Sequence, residues 1–525
     1  MKKIELYDYQ QRMVEDIIKM LTTKVVSRYR RTKDYKEGNS VIVQMPTGTG
    51  KTYVMASVVK WFLDNYLKGE VWIVAHRREL VEQMQQTLDR FCLEYGEKEM
   101  ALEAKVRIRV LSIQWLGRHM EELEQAECVP GLIVVDEAHH ALASSYKVLF
   151  ELFERNRDAL KLGMTATPCR MKKESFGLLF ERLLLSPSTK DFIKGGYLAP
   201  YDYVVIGQYS QDQLTINSLR GRGSDGDYSI KEMDEKLNVP ESIKRLYESM
   251  VKHADGKKGI VYAIDIDHAK MIAAYYVAKG VRAVALDSKT PAKMRERMVE
   301  AFRKGELDCL VNVNLFDEGF DCPDVEYIQM ARPTLSLAKY LQMVGRGLRV
   351  NRRQKDKVCM IIDNVGNYRK FGLPDKERNW KAMYAGVRAG KGSVSMFAKR
   401  PNSVVVPSND MVFVAQYDKQ REVQSGKRRY EYLQNVKPFE VSGRWGLRVD
   451  DDIILQPVYR KIYDFVGGFA VFEIAPNRVG ILIRNGRVYY PPNYREIKLL
   501  SGNRALLTQS VINTKEVKLD TKWGY

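Results

Sequence analysis

Val41-Ile-Val-Gln-Met-Pro-Thr-Gly-Thr-Gly-Lys-Thr52 carries an apolar stretch of strand character straight into a glycine-rich turn that closes on Gly50-Lys51-Thr52. A turn of this kind aims successive backbone N–H groups at one point, and the helix expected next directs its positive end at whatever anion they hold. Thr47, Gly48, Thr49 and Gly50 would line a polyphosphate, Lys51 would reach its terminal phosphates, and the Thr52 hydroxyl would hold Mg2+. The stretch departs from the strict phosphate-loop pattern at its first position, where Met45 replaces glycine. The expectation is an α/β chain that binds a nucleoside triphosphate.

Working outward, Leu132-Ile-Val-Val-Asp136-Glu137-Ala-His139 is a continuous apolar run that ends in two carboxylates. Such a run marks a parallel strand buried on both faces, and open α/β sheets bind their ligands beyond the carboxyl ends of those strands. Asp136 could hold Mg2+ through water, and Glu137 could polarise an attacking water; both tasks need a carboxylate close to the γ-phosphate.

The rest of the composition bounds the class of molecule. A chain of 525 residues exceeds one hydrophobic core and predicts about three or four domains. Its 85 Lys plus Arg outnumber 66 Asp plus Glu, leaving a formal charge of +19, which favours a polyanionic partner such as nucleic acid over a merely basic solvated surface. The six cysteines (92, 128, 169, 309, 322, 359) form no Cys-x-x-Cys pair and the six histidines show no ligand spacing, so neither a zinc site nor a disulfide framework is expected. No apolar run approaches a bilayer span and the amino terminus lacks a signal-peptide core, so a soluble cytoplasmic protein without membrane contact is predicted.

Taken together, these elements resemble the superfamily 2 nucleic-acid helicases and translocases of the DEAH-box type, over about residues 5 to 380. The resemblance implies two tandem RecA-like parallel-sheet domains that share one ATP. Leu6-Tyr-Asp-Tyr9-Gln10 resembles the adenine-reading element, with Gln10 as the amide and Tyr7 where many relatives have arginine. Ile73-Val-Ala-His-Arg77-Arg78-Glu-Leu80 and Ser112-Ile-Gln114 resemble backbone-contacting segments, and Gly163-Met-Thr165-Ala-Thr167-Pro168 resembles the motif coupling nucleotide state to the bound strand. Leu310-Val-Asn312-Val-Asn314-Leu-Phe-Asp-Glu-Gly319-Phe-Asp321 resembles an element touching both ligands, which implies nucleotide contacts from Gly319 and Asp321 and strand contacts from Asn312 and Asn314.

Gln342-Met-Val-Gly-Arg346-Gly-Leu-Arg349 completes the set. Helical spacing of three puts Arg346 and Arg349 on one face, and in the family such arginines meet the γ-phosphate across the cleft, with Gln342 beside them. The implied reaction is ATP hydrolysis coupled to movement along a nucleic acid. A switch that remodels a complex without separating strands is the alternative. Grip should fall on phosphates through Arg77, Arg78, Gln114, Asn312 and Asn314. Gly226-Asp-Tyr228, Ala331-Arg-Pro-Thr-Leu-Ser336 and the text from Asp363 to Trp380 resemble the DNA translocases of restriction and phage systems, which favours DNA over RNA.

The predicted organisation is a first lobe at 1–200, a connecting segment at 201–240, a second lobe at 241–380, a basic linker or accessory segment at 381–440 and a β-rich module at 441–525. That module holds an internal repeat: Pro457 and Pro492, Tyr459 and Tyr494, Ile462 and Ile497, Ala470 and Ala505 are each 35 residues apart. It resembles a short WG-repeat array, which implies docking to a protein partner and no chemistry of its own.

Overall fold

Val41, Ile42 and Val43 are wholly buried, and strand β1 (Ser40–Gln44) accordingly lies inside a sheet and not at its edge. The computed structural model describes residues 4–23, 39–76, 78–96, 106–125, 129–140, 145–168, 176–287, 289–313, 315, 324–351, 354, 356–386, 410–417, 434–450, 452–486, 488–501, 503–510 and 513–519. They divide into two units, Met1–Gln416 and Tyr417–Tyr525.

In the first unit, β1 joins β2 (Glu70–Ala75), β3 (Ile108–Ser112), β4 (Pro130–Val135), β5 (Leu160–Thr165) and β6 (Arg182–Leu185) in a parallel six-stranded sheet of order β3-β2-β4-β5-β1-β6. Its central strands are mostly apolar and buried, as in a parallel sheet covered on both faces. The order places β4, β5 and β1 side by side, with Gln44 opposite Thr165 and Val135 opposite Gly163. The loops leaving these three strands therefore open at the same edge.

A second sheet follows: β7 (Tyr201–Ile206), β8 (Gly259–Tyr262), β9 (Ala283–Leu286), β10 (Cys309–Asn312), β11 (Tyr327–Met330), β12 (Cys359–Asp363) and β13 (Met411–Ala415), in the order β13-β7-β12-β11-β8-β10-β9. Two strands come from stretches expected to be connections. Residues 201–206 were expected to link the lobes, yet β7 pairs in parallel with β12. Residues 411–415 fell in the expected basic linker, yet β13 pairs antiparallel with β7. Both runs are short and apolar, and only a partner strand distant in sequence gives them a ladder.

Beyond β12 the chain turns back toward the first lobe. Arg378 donates to the carbonyls of Phe371, Leu373, Pro374 and Lys376 and so fixes the turn on the second lobe. The Tyr384 hydroxyl then donates to Phe180 O, and its ring packs against the first lobe's core. The two lobes are thus joined a second time.

In the other unit, the named elements among the described residues are all β-strands. Its strands β14 (Lys437–Val441), β15 (Arg444–Val449) and β16 (Asp452–Tyr459) form one sheet. A second contains β17 (Lys461–Ile462), β18 (Phe469–Ala475), β19 (Arg478–Ile483) and β20 (Val488–Tyr494), and a third contains β21 (Glu496–Leu500), β22 (Arg504–Ser510) and β23 (Asn513–Lys518). Strands β18 and β19 recur as β22 and β23 with both ends displaced by 35 residues. The left-handed turn residues Ser442 (φ 51) and Asn477 (φ 60) keep the same spacing. Side chains of the middle sheet alternate between two cores: Phe469, Val471, Ile481 and Ile483 face one, Ala470, Phe472 and Leu482 the other. One sheet buried on both faces holds the stack together.

Candidate nucleotide site

The phosphate loop is shaped by its two glycines. Gly48 (φ 87) and Gly50 (φ 78) occupy the left-handed region, which other residues enter only at a cost. Gly50 also caps the helix Lys51–Asn65, whose first turn has no side chain supplying a cap. Those N–H groups need an acceptor, and a phosphate fits them. The Thr47 hydroxyl is buried in the same loop with no hydrogen-bond partner among the described residues. These features suit a nucleoside triphosphate such as ATP.

The helix Asp8–Thr22 buries an amphipathic face that includes Tyr9, Gln10, Met13, Ile17 and Leu21, and its first turn touches this loop. The Tyr9 hydroxyl donates to Thr49 O at 2.7 Å and Gln10 Nε2 donates to the same carbonyl at 3.3 Å. Gln10 Oε1 accepts the Tyr7 N–H at 3.0 Å. Tyr7, in the position expected for an arginine, stacks on Tyr9 at 5.8 Å and meets Tyr197 edge-on at 5.2 Å. Burial pushes the Tyr9 hydroxyl well above the usual tyrosine range, so it remains a proton donor to the loop.

The acidic pair lies across from Lys51. Lys51 Nζ is 3.5 Å from Glu137 Oε1, and both side chains are nearly buried. Glu137 adopts φ 43, a left-handed conformation that costs a side-chain-bearing residue about 1–2 kcal/mol. The Asp136 carboxylate accepts the Glu137 N–H at 2.9 Å and helps hold that turn. Strain of this sort persists where its surroundings fix a functional group. His139 Nδ1 lies 3.3 Å from Glu137 Oε2 and 2.9 Å from Thr165 Oγ1, which in turn accepts the Thr167 N–H at 3.0 Å. Close polar contacts therefore connect Lys51 to the Thr-Ala-Thr segment, of which those of Glu137 with Lys51 and with His139 are charge-pair proximities and the rest hydrogen bonds. The role of His139 among them follows only from the pairing of β4 with β5.

The second lobe reaches this site through the helix Leu337–Gly347. Gly345 lies so near the phosphate loop that a Cβ there would sit 2.7 Å from Thr47 Cβ. A Cβ on Gly48 would sit 3.2 Å from both Arg349 Cγ and Leu198 Cδ2. Gln342 and Arg346 are buried beside this contact. Arg349 corrects one expectation: the helix ends at Gly347, so Arg349 does not share a helical face with Arg346. It pairs instead with Leu198 in an antiparallel bridge, and its carbonyl accepts Lys357 Nζ at 2.7 Å.

Other expected contacts divide. His76 and Gln114 stand at the ends of adjacent strands, Gln114 Nε2 donating to His76 O at 3.0 Å from an exposed position. Arg78 begins the helix Arg78–Arg90. Asn312 is fully buried, and its Oδ1 accepts the Leu315 N–H at 2.9 Å. It therefore shapes the turn after β10 and, as placed here, presents no exposed side chain to a strand. Arg77, Asn314, Gly319 and Asp321 lie outside the described residues.

Comparisons with known proteins match both lobes. The family described as type III restriction enzyme, res subunit, matches residues 3–170, and the helicase conserved C-terminal domain matches residues 241–351. A 51.5 kDa protein of a Lactococcus phage is 32% identical over 351 residues, covering 67% of this chain and 71% of that one. The DNA 3'-5' translocase XPB2 of Sulfurisphaera tokodaii is 26% identical, covering 69% and 82%. Some relatives are longer, and the chain spans 48%, 55% and 62% of three of them. The ATP-dependent type ISP restriction-modification enzyme LlaBIII, solved bound to DNA, has a TM-score of 0.51 at 15% identity, covering 74% of this chain and 30% of that one. At that identity the likeness concerns the fold, that of two RecA-like lobes. No helix among the described residues is long and apolar enough to cross a membrane. With its phosphate loop, acidic pair and arginine helix gathered in one cleft, the chain belongs to the superfamily 2 helicases that join a res-subunit domain to a helicase C-terminal domain.

Proposed function

We propose that this protein is a DEAH-box ATPase that translocates along DNA. The observation that carries the reading is the seating of Gly345 on Thr47, because it brings the Arg346 helix onto the loop that would hold the phosphates. Bound Mg2+ would supply charge neutralisation on the phosphate oxygens. The protein's own groups divide the remaining work. Gly48, Gly50 and the helix amino end at Lys51 bind the phosphates, and Lys51 neutralises their charge. Glu137, released from Lys51 when a phosphate takes its place, orients and deprotonates water. Arg346 and Arg349 approach from the other lobe, so charge stabilisation depends on closure. His139 and Thr165 link the state of Glu137 to the segment at Thr167.

A strand held by both lobes would advance as they open and close. DNA is favoured by the resemblance of the linking segments and by the named activity of the archaeal relative. The β stack supports a WG-repeat-like docking module for a protein partner, with its 35-residue periodicity kept in the strand ends. ATPase rates on single-stranded, duplex and forked DNA and RNA test the assignment. Stimulation by DNA, abolished in Lys51→Ala, Glu137→Gln and Arg346→Ala, is expected. No stimulation by any nucleic acid would refute it, and triplex displacement without strand displacement would make the protein a translocase that does not unwind.

A further inference from the structure

Two sequence elements have no part in the mechanism so far, Gly226-Asp-Tyr228 and Ala331-Arg-Pro-Thr-Leu-Ser336. They meet in the fold. Asp227 is 1% exposed; its Oδ2 accepts the Thr334 hydroxyl at 2.7 Å and its Oδ1 accepts the Leu335 N–H at 2.6 Å. Lys339 Nζ closes the arrangement, 3.1 Å from Asp227 Oδ2 and 2.9 Å from Asp225 Oδ2.

Both sides of the contact are built in advance. On the hairpin that carries Asp227, Gly223 N–H donates to Asp227 O at 2.9 Å, Gly226 takes φ 84, and the Tyr228 N–H donates to Asp227 Oδ1 at 2.9 Å. On the other side, Thr334 N–H donates to Asn367 Oδ1 at 3.1 Å, and Thr334 Oγ1 accepts the Ser336 N–H at 3.0 Å. Ser336 is the cap of the helix Leu337–Gly347. A buried carboxylate thus holds the two residues that precede this cap, where the helix dipole favours negative charge. Arg346 lies ten residues beyond Ser336, a lever of about 15 Å, so a tilt of a few degrees at the cap moves the arginine end by about 1 Å. A displacement of that size at a reacting centre costs up to about 100-fold in rate.

We infer that Asp227 is a positioning residue for hydrolysis, clamping the amino end of the arginine helix so that Gly345 seats on Thr47 and Arg346 meets the phosphates. The inference rests on the reading of Arg346 given above. Nucleotide binding by the phosphate loop does not involve the clamp, so the effect should fall on kcat. In Asp227→Ala, DNA-stimulated kcat should drop about 10- to 100-fold while KM and the Kd of a fluorescent ATP analogue stay within about two-fold of wild type. Asp227→Asn, which keeps an acceptor for the Leu335 N–H, should recover part of the loss. Thr334→Val, which removes only the hydroxyl, should lower kcat by a smaller factor and carries the test if Asp227→Ala does not fold. Wild-type kcat in Asp227→Ala or in Thr334→Val, or an equal loss of turnover and nucleotide affinity, would overturn the inference. Arg346→Ala separates the two readings: if it keeps wild-type turnover the arginine assignment fails, whereas an inactive Arg346→Ala beside a fully active Asp227→Ala rejects the clamp alone.

Discussion

Replacing Gly345 with alanine separates the stability of the arginine helix from its docking. Within the helix Leu337–Gly347, alanine is the better residue and should stabilise by about 0.8–1 kcal/mol. Across the cleft the same methyl is forbidden, since its carbon would lie 2.7 Å from Thr47 Cβ and 3.1 Å from Thr47 Cγ2. Carbon atoms pack comfortably at about 3.5–4.0 Å, so the two surfaces must part by about 1 Å. Thr47 is β-branched and buried, with little freedom to move aside. Arg346 would then stop about 1 Å short, and the expected loss in kcat is on the order of 100-fold. The assay pairs steady-state ATPase at saturating DNA with thermal unfolding of the same preparation. A slower enzyme of equal or higher Tm is the expected outcome. Turnover within about two-fold of wild type would show that the contact is not the one used in hydrolysis.

His268 should make the second lobe acid-sensitive. Burial lowers its pKa to about 4 from 6.5, and its Nδ1 accepts the Ile264 N–H at 3.2 Å, which requires the neutral ring. The unfolded chain takes up the proton first, so stability holds above about pH 6.5 and declines toward pH 4, on the order of 2 kcal/mol being lost by pH 5. Urea midpoints across that range should vary less in His268→Gln than in wild type. A chain ending at Gln416 keeps β13 on the edge of the second sheet and should retain ATPase activity, whereas one ending at Gly386 bares β7 and should aggregate on size-exclusion chromatography. Gly480→Ala would set a Cβ 2.5 Å from Phe472 Cε1 and Tyr490 O, so limited proteolysis should show a destabilised β stack, by about 1–3 kcal/mol, with unchanged ATPase rates.

The local chemistry was open to inspection in the sequence. A phosphate loop is one contiguous stretch whose glycines and Lys51 act through the backbone they belong to, and the acidic pair follows directly on a buried apolar strand. The spacing of 35 residues likewise survives into the strands of the β stack, because each copy uses the same alternation and the same turns. Contacts between distant segments were not open to it. Asn312 looked available for a nucleic acid and is buried in a turn; Arg349 looked helical and lies past the helix end; 201–206 and 411–415 looked like connections and are strands. Each difference has one cause: a side chain's exposure or a short strand's ladder depends on partners that the local sequence does not contain.

By itself, then, the sequence determined which groups could meet a triphosphate, since propensity, periodicity and motif spacing are properties of short stretches, and its family resemblance implied two α/β lobes that share it. Only the tertiary structure decided how those groups are aimed. Asp227 holding Thr334, His139 bridging Glu137 and Thr165, and Gly345 resting on Thr47 all join residues far apart in the chain. Packing leaves each of them a single place to be, and no spacing along the chain encodes that fit.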